Sequence, residues 1–293
     1  MTKAPTYHSL KKELQTLKMH PKSLIMRILV WLSAIITVSI MLMLVGYVLI
    51  KGVSHLKPSL FAWEYTSENC SMTPALLNTV LMTLLTLIIA VPIGVFSAIY
   101  MVEYARRGNP FVKVVRTTTE TLSGIPSIVY GLFGYLIFVV ALRFHLSMLS
   151  GALTLAIMVL PTIMRTTEEA LISVPDAYRE GSFGLGAGRL RTVFKVVLPE
   201  ALPGILSGII LSIGRIVGET AALIYTAGTV PGIPKTLMES GRTLSIHMYS
   251  LLSEGLHTEE AYATAVVLLV LVLLINGLSE LIAKKISGKD RSK

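Results

Sequence analysis

The sequence predicts an all-α, polytopic membrane protein with six transmembrane helices and both termini in the cytoplasm. Three observations carry that prediction. Of 293 residues, 53% are hydrophobic and only 15% are charged, where a soluble domain carries about 25% charge. The apolar residues run in continuous blocks of about 20, the helix length that crosses ~30 Å of hydrocarbon. A membrane β-barrel would instead show ~10-residue alternating segments. Lysine and arginine gather in alternate connecting segments, as the positive-inside rule requires of cytoplasmic loops.

The expected spans are 28–50, 75–102, 121–142, 146–164, 204–226 and 263–283. The first is too long for a signal-peptide core and lacks a small-residue cleavage site, so it reads as an anchor behind a cytoplasmic tail, residues 1–27. The third contains "GIPS", in which Gly124 and Pro126 interrupt the helix. The fourth is the weakest, and Pro161 is expected to bend it or end it early. The fifth carries Arg215 and Glu219 within an otherwise apolar run, and the sixth leads into a basic tail, 284–293. Twenty of the 26 basic residues fall in the N-terminal tail, the second and fourth loops and the C-terminal tail. Five lie on the other side, and Arg215 is the remainder. The net charge of +9 therefore reads as topology and contact with lipid headgroups, not as a nucleic-acid surface.

The sequence excludes several classes. One cysteine, Cys70, forms no intrachain disulfide. The six histidines are scattered, with no HExxH spacing, so no metal site is expected and no cofactor is implied. No catalytic constellation stands out. On the outer side, 51–74 and 227–262 are the sizeable segments, and "SGRTLSIHMYSLLSEGL" in the second predicts a short surface helix, interfacial or used for docking.

The loop after the fourth span, 165–203, carries the strongest local pattern. Its first helix is expected from about Asp176 and its second from about Gly188 to Val197, with Leu190, Val193, Phe194 and Val197 on one face. "GSFGLGAG" forms the bend between them, and Leu198-Pro199 is expected to end the second. The glycines are not a phosphate-cradling loop, because GxxxxGK[ST] occurs nowhere in the chain. The segment resembles the EAA loop of ABC-importer permeases: EAA, three residues, G, nine residues, I-x-L-P. Glu180, Gly181 and Ser182 hold the EAA places, Gly186 follows, and Val196, Val197, Leu198 and Pro199 close the pattern. Gly181 and Ser182 replace two alanines, and Val196 replaces isoleucine. "LSGIPSIVYGLFG" (122–134), "GRIVGETAALIYTAG" (214–228) and "SGRTLSIHMY" (240–249) further resemble the phosphate-specific permeases of PstA type. The likeness spans about 75 to the C-terminus, the expected permease core being 75–283.

The resemblance implies a type I importer permease fold in a prokaryotic cell membrane. It implies inward transport of inorganic phosphate, with ATP hydrolysed by a separate ATP-binding subunit, present as a dimer. That subunit would contact Glu180, Gly181, Ser182, Gly186, Leu198 and Pro199, flanked by Arg189, Arg191 and Lys195. A second homologous permease of PstC type and an extracytoplasmic phosphate-binding protein complete the expected partners. An importer permease for another oxyanion or polar nutrient is the first alternative. A self-sufficient channel or ion-coupled carrier is the second, although no clear internal repeat supports it.

The residues agree with an anionic substrate. A charge at the centre of a span costs about 2.5–3.5 kcal/mol on insertion scales and usually faces a cavity or the bundle interior. Helical steps place Gly204, Gly208, Ser212, Arg215, Glu219, Ala222 and Thr226 on one small, polar face, suited either to close helix approach or to a ligand. Arginine's planar fork matches two oxyanion oxygens. Arg215 and Glu219 also have the spacing of a helix ion pair, but with the basic residue first, the weaker order. Glu219 would accept the proton that phosphate keeps at neutral pH and sulfate lacks. Ser123 and Ser127 flank the "GIPS" break and would line the same path, unless the break is an ordinary proline kink. Glu120 sits at the cytoplasmic end of that span as a solvated or gate-side charge.

Overall fold

A computed structural model describes residues 21–106 and 108–290, with side chains from 25 to 285 except 107. Lys3, Lys11, Lys12, Lys18, Arg107, Arg291 and Lys293, all used in the charge count, lie outside the described residues. The described chain is helical, with no strand. It falls into two units, up to Lys51 and from Gly52 onward. The first unit is occupied by helix α1 (Pro21–Val53), whose residues from Ile25 form an apolar run long enough to cross a membrane.

The second unit is a bundle built around α5 (Met148–Ile172), which packs most extensively on α2 (Thr73–Ile99) and α8 (Leu198–Gly218). α5 contains the expected fourth span, but Pro161 does not end it; the helix runs eleven residues further. Its polar residues explain the weak hydropathy signal. Ser150, Thr154 and Thr167 are buried, and the Thr154 and Thr166 hydroxyls donate to the carbonyls of Ser150 and Thr162, each at 2.8 Å. Leu155, Met158, Val159 and Ile163 of this helix are 0–1% exposed and its neighbours α2 and α8 pack along it, the setting in which membrane helices tolerate proline.

α2 continues into a π-helical turn, Tyr100–Tyr104. The third span is a bent pair. α3 (Pro110–Ser123) starts at Asn109, whose side chain accepts the Phe111 N–H, and meets α4 (Ser127–Gly134) at 109°. The break is the "GIPS" interruption, and α4 extends through a second π-helical stretch, Tyr135–Ala141. Together α4 and that stretch rise only about 22 Å at 1.5 Å per residue, short of ~30 Å of hydrocarbon. Among the described residues five helices are long and apolar enough to span a membrane, six if the bent pair counts as one.

After α5 come α6 (Asp176–Gly184), α7 (Arg189–Thr192) and a third π-helical turn, Val193–Val197, which feeds straight into α8. Leu198-Pro199 therefore does not end a helix, contrary to the sequence expectation. Pro199 falls in the first turn of α8, where a missing N–H costs least. On the predicted apolar face Val193 and Val197 are buried, whereas Leu190 and Phe194 are exposed.

α8 stops at Gly218, and α9 (Ala221–Thr226) begins after a two-residue break. The final elements are α10 (Leu244–Glu254) and α11 (Thr258–Asp290), which pack on each other. α10 corrects the surface-helix expectation. Leu244, Ser245, Ile246, His247 and Leu251 are 0–1% exposed. The Leu244 N–H donates to Thr79 Oγ1 at 2.8 Å, and Asn78 donates to the carbonyls of Gly232 (2.7 Å) and Arg242 (3.1 Å). The Arg242 guanidinium lies 4.4 Å from the Tyr65 ring centroid. Burial and that same arginine push the His247 pKa down to about 3, so its imidazole is neutral at physiological pH.

Candidate functional site

The small face of α8 is used for helix approach along most of its length. A Cβ on Gly204 would lie 2.7 Å from Ala170 Cβ, and one on Gly208 would lie 1.9 Å from Thr166 Oγ1. Only small residues there let α5 and α8 meet. Ser212 continues the face, buried, with its hydroxyl donated to the Gly208 carbonyl at 2.9 Å.

Arg215 stands in the last turn of α8 and is half-buried. Among the described residues no carboxylate or hydrogen-bond acceptor engages its guanidinium. Its side chain lies within electrostatic reach of the buried Tyr130 phenol, which donates to the Leu122 carbonyl at 2.8 Å across the α3–α4 bend.

Glu219 is not the partner of Arg215. The ion-pair geometry required a continuous helix, but the helix ends at Gly218 and Glu219 is extended (ψ 129°). The Glu219 carboxylate turns to the next segment, where Oε1 accepts the Ala222 N–H at 3.1 Å. Its backbone carbonyl accepts the Ser245 hydroxyl at 2.6 Å, which ties the break to α10. Glu219 is 9% exposed.

The two helix breaks are neighbours. α4 packs on α9 so closely that a Cβ on Gly131 would sit 2.8 Å from Ala222 Cα. Tyr130, Ile216 and Ala222 share one core, with Leu122 and Ile125 packed against it. Ser127 opens α4 at the first break and is half-buried; Ser123 closes α3, exposed, its hydroxyl donated to the Glu120 carbonyl at 2.7 Å. The structure thus brings an unpaired cation, a sequestered carboxylate and two interrupted helices together. Glu120, whose carbonyl accepts the Ser123 hydroxyl, also lines a groove of about 290 Å3 with Met101, Arg116, Glu168 and Glu169, where Arg116 and Glu168 form an ion pair.

At the other functional candidate, Glu180 and Gly181 are exposed on α6, and Gly186 (φ +82°) makes the turn after it. Ser182 shares a 2.8 Å hydroxyl contact with Thr192, closing α6 onto α7. Leu198 and Pro199 are half-buried at the start of α8. Tyr178, Phe183, Leu185 and Leu190 are exposed apolar residues on this loop. Sequence reasoning missed Arg179 and Glu103, which meet here from 76 positions apart; no local spacing signals such a pair.

Comparison with known proteins places these features. Residues 90–288 match the family model described as binding-protein-dependent transport system inner membrane component. A probable ABC transporter permease protein of Bacillus subtilis (strain 168), YqgI, is 35% identical over 268 residues, covering 84% of this chain and 89% of that protein. A phosphate transport system permease protein PstA of Pasteurella multocida (strain Pm70) is 34% identical over 230 residues, 77% of this chain and 81% of that one. The PstA protein of Mycobacterium leprae (strain TN) is 40% identical over 154 residues, 53% and 50% of the two chains. Among solved structures, a bacterial ABC transporter involved in alginate import aligns with TM-score 0.60 at 18% identity, over 93% of this chain and 99% of the other. The inward-facing MetNI methionine ABC transporter aligns at TM-score 0.56 and 23% identity, over 73% and 94%.

Proposed function

We propose, for a chain that belongs to the family of binding-protein-dependent transport system inner membrane components, that it carries inorganic phosphate into the cytoplasm. At the coarser level the chain is a multi-pass membrane permease of an ABC importer, a transport subunit whose ATPase is a separate polypeptide. Phosphate is supported by the phosphate transport permeases among its relatives. The observation that carries the reading is the Arg215 guanidinium: unpaired, half-buried in a span and beside two helix breaks. All its donors are available to an oxyanion, and the guanidinium fork fits two phosphate oxygens. Ser127 and Ser123 border the same break and add neutral hydroxyls to the path, with Ser212 one turn below Arg215.

In this reading both termini and the 165–203 loop face the cytoplasm. The exposed Glu180, Gly181 and apolar side chains of α6 meet the ATP-binding subunit, and Gly186, Leu198 and Pro199 shape the loop that presents them. A second permease of PstC type and an external phosphate-binding protein complete the importer. The test is reconstitution of that importer in proteoliposomes with labelled phosphate. Uptake that needs ATP and ignores excess sulfate is expected. Equal uptake of sulfate overturns the substrate, and uptake driven by an ion gradient without ATP overturns the class.

Glu219 has a separate role as discriminator. A carboxylate accepts the proton that phosphate retains and repels fully ionised sulfate. Glu219→Gln keeps the shape and an acceptor for the Ala222 N–H but removes the charge. Its preference for phosphate over sulfate is expected to drop about tenfold, the size of one charge-assisted hydrogen bond. Competition of sulfate against labelled phosphate measures it; the same ratio in variant and parent removes Glu219 from selectivity.

A further inference from the structure

The loop between α5 and α8 is fastened to the end of α2 at two adjacent residues. Arg179, in α6, donates from Nη2 to Glu103 Oε1 at 2.7 Å and from Nε to the same oxygen at 3.1 Å. Its remaining donors reach the carbonyls of Leu171 (2.9 Å) and Val174 (2.8 Å), at the end of α5, and the Asp176 carboxylate at 3.3 Å. The Arg179 and Glu103 side chains are only 15% and 8% exposed. One guanidinium therefore joins three elements: α6, the last turn of α5 and the π-helical turn Tyr100–Tyr104 that ends α2. The next residue of that turn, Tyr104, lies under a second arginine of the loop, with Arg189 5.5 Å from its ring centroid. Beneath both contacts Ala98, Ile99, Leu171, Val174, Val193 and Val197 form one buried core.

We infer that Arg179 and Glu103 are positioning residues that transmit the movement of α6 to α2, an inference that rests on the coupling role proposed for this loop. The exposed side of α6 is the part available to the ATPase. Apart from the bridge, α6 is held by its chain ends, by the Ser182–Thr192 contact and by packing on α7 and the turn Val193–Val197, all of which lead toward α5 or α8 and not α2. With the bridge, a push on α6 reaches α2 directly, and α2 packs along α5 and α8. A planar fork is required: lysine, a point charge with one nitrogen, does not hold a carboxylate and two carbonyls in this geometry at once. The partner on α2 sits in a π-helical turn, a local irregularity that is frequent at functional sites of helices.

The test uses the complete importer in proteoliposomes, with ATP hydrolysis and phosphate uptake measured on the same vesicles. In Arg179→Lys and in Glu103→Gln the ATPase is expected to co-purify in parental amount. Phosphate moved per ATP is expected to fall about tenfold, a typical coupling effect, with hydrolysis staying within about twofold. The double variant is expected to lose no more than the worse single variant, as two groups of one unit do. An unchanged ratio of uptake to hydrolysis overturns the inference, including the case where both fall in parallel. Loss of assembly in both single variants overturns it too, because that marks a bridge needed only for folding. Failure of the underlying reading is visible separately, in an unmutated importer that moves no phosphate or does not retain an ATPase on this subunit.

Discussion

Replacing Arg215 by glutamine is expected to lower phosphate uptake about 100-fold while the importer assembles in parental amount. The expected size follows from removing one side of a desolvated, hydrogen-bonded charge pair, which costs about 2–5 kcal/mol in the complex that contains it. The second half of the expectation comes from the structure. Among the described residues Arg215 has no carboxylate partner, so its removal strands no buried acid. The variant also loses a half-buried cation whose placement in the membrane is unfavourable, so the empty protein is not destabilised by that loss. A structural arginine gives the opposite pattern, in which assembly fails first. Labelled phosphate uptake and the yield of co-purified ATPase, measured together, separate the two. Parental uptake in Arg215→Gln removes the substrate role.

Gly208→Val is expected to break the bundle itself. The new Cβ would lie 1.9 Å from Thr166 Oγ1 and 2.6 Å from Thr166 Cβ, and a β-branched threonine has little freedom to yield. Forcing methyl groups into such a contact costs about 1–3 kcal/mol or more, here between α5 and α8, the two helices on which both the site and the loop depend. Subunit recovered from the membrane is expected to fall severalfold, on the scale of that destabilisation, and uptake to fall with it. Adding Thr166→Gly to Gly208→Val, which moves a branched side chain of the same size across the contact, is expected to recover most of it. Gly277→Ala, in α11, is the control. A Cβ there meets nothing within 4 Å, and alanine is a good helix former, so yield and uptake are expected to match the parent.

These contrasts show what the sequence made legible. Spans, charge asymmetry and the spacing from Glu180 to Pro199 depend on local composition, and they pointed to the membrane class, the permease fold and the family. Arg215 was legible for the same reason, since a charge in an apolar run needs no partner to be noticed. The end of α8 was not, because the periodicity of the small face continues through Gly218 and Glu219 although the helix stops. A signal was present in "GET": a glycine at the end of one helix and a carboxylate that caps the next. The burial of α10 was hidden because its neighbours, Thr79 and Glu219, lie 165 and 26 positions away along the chain. Pro161 misled in the other direction: proline weakens a helix in isolation, but α5 packs along α2 and α8, contacts that a linear reading does not contain.

The unbalanced guanidinium also bears on leakage. A conduit for a small anion that opens by turns to either side must not pass hydronium or sodium, or the electrochemical gradient across the bilayer would drain through it. A mechanical seal tight enough to stop a proton is difficult to build, but a fixed positive charge in a medium of low dielectric repels every cation that approaches, occupied or empty. If Arg215 lines that conduit as proposed, its guanidinium, which has no carboxylate partner among the described residues, makes the empty state the more repulsive of the two, so insulation is strongest when no cargo is present to fill the gap.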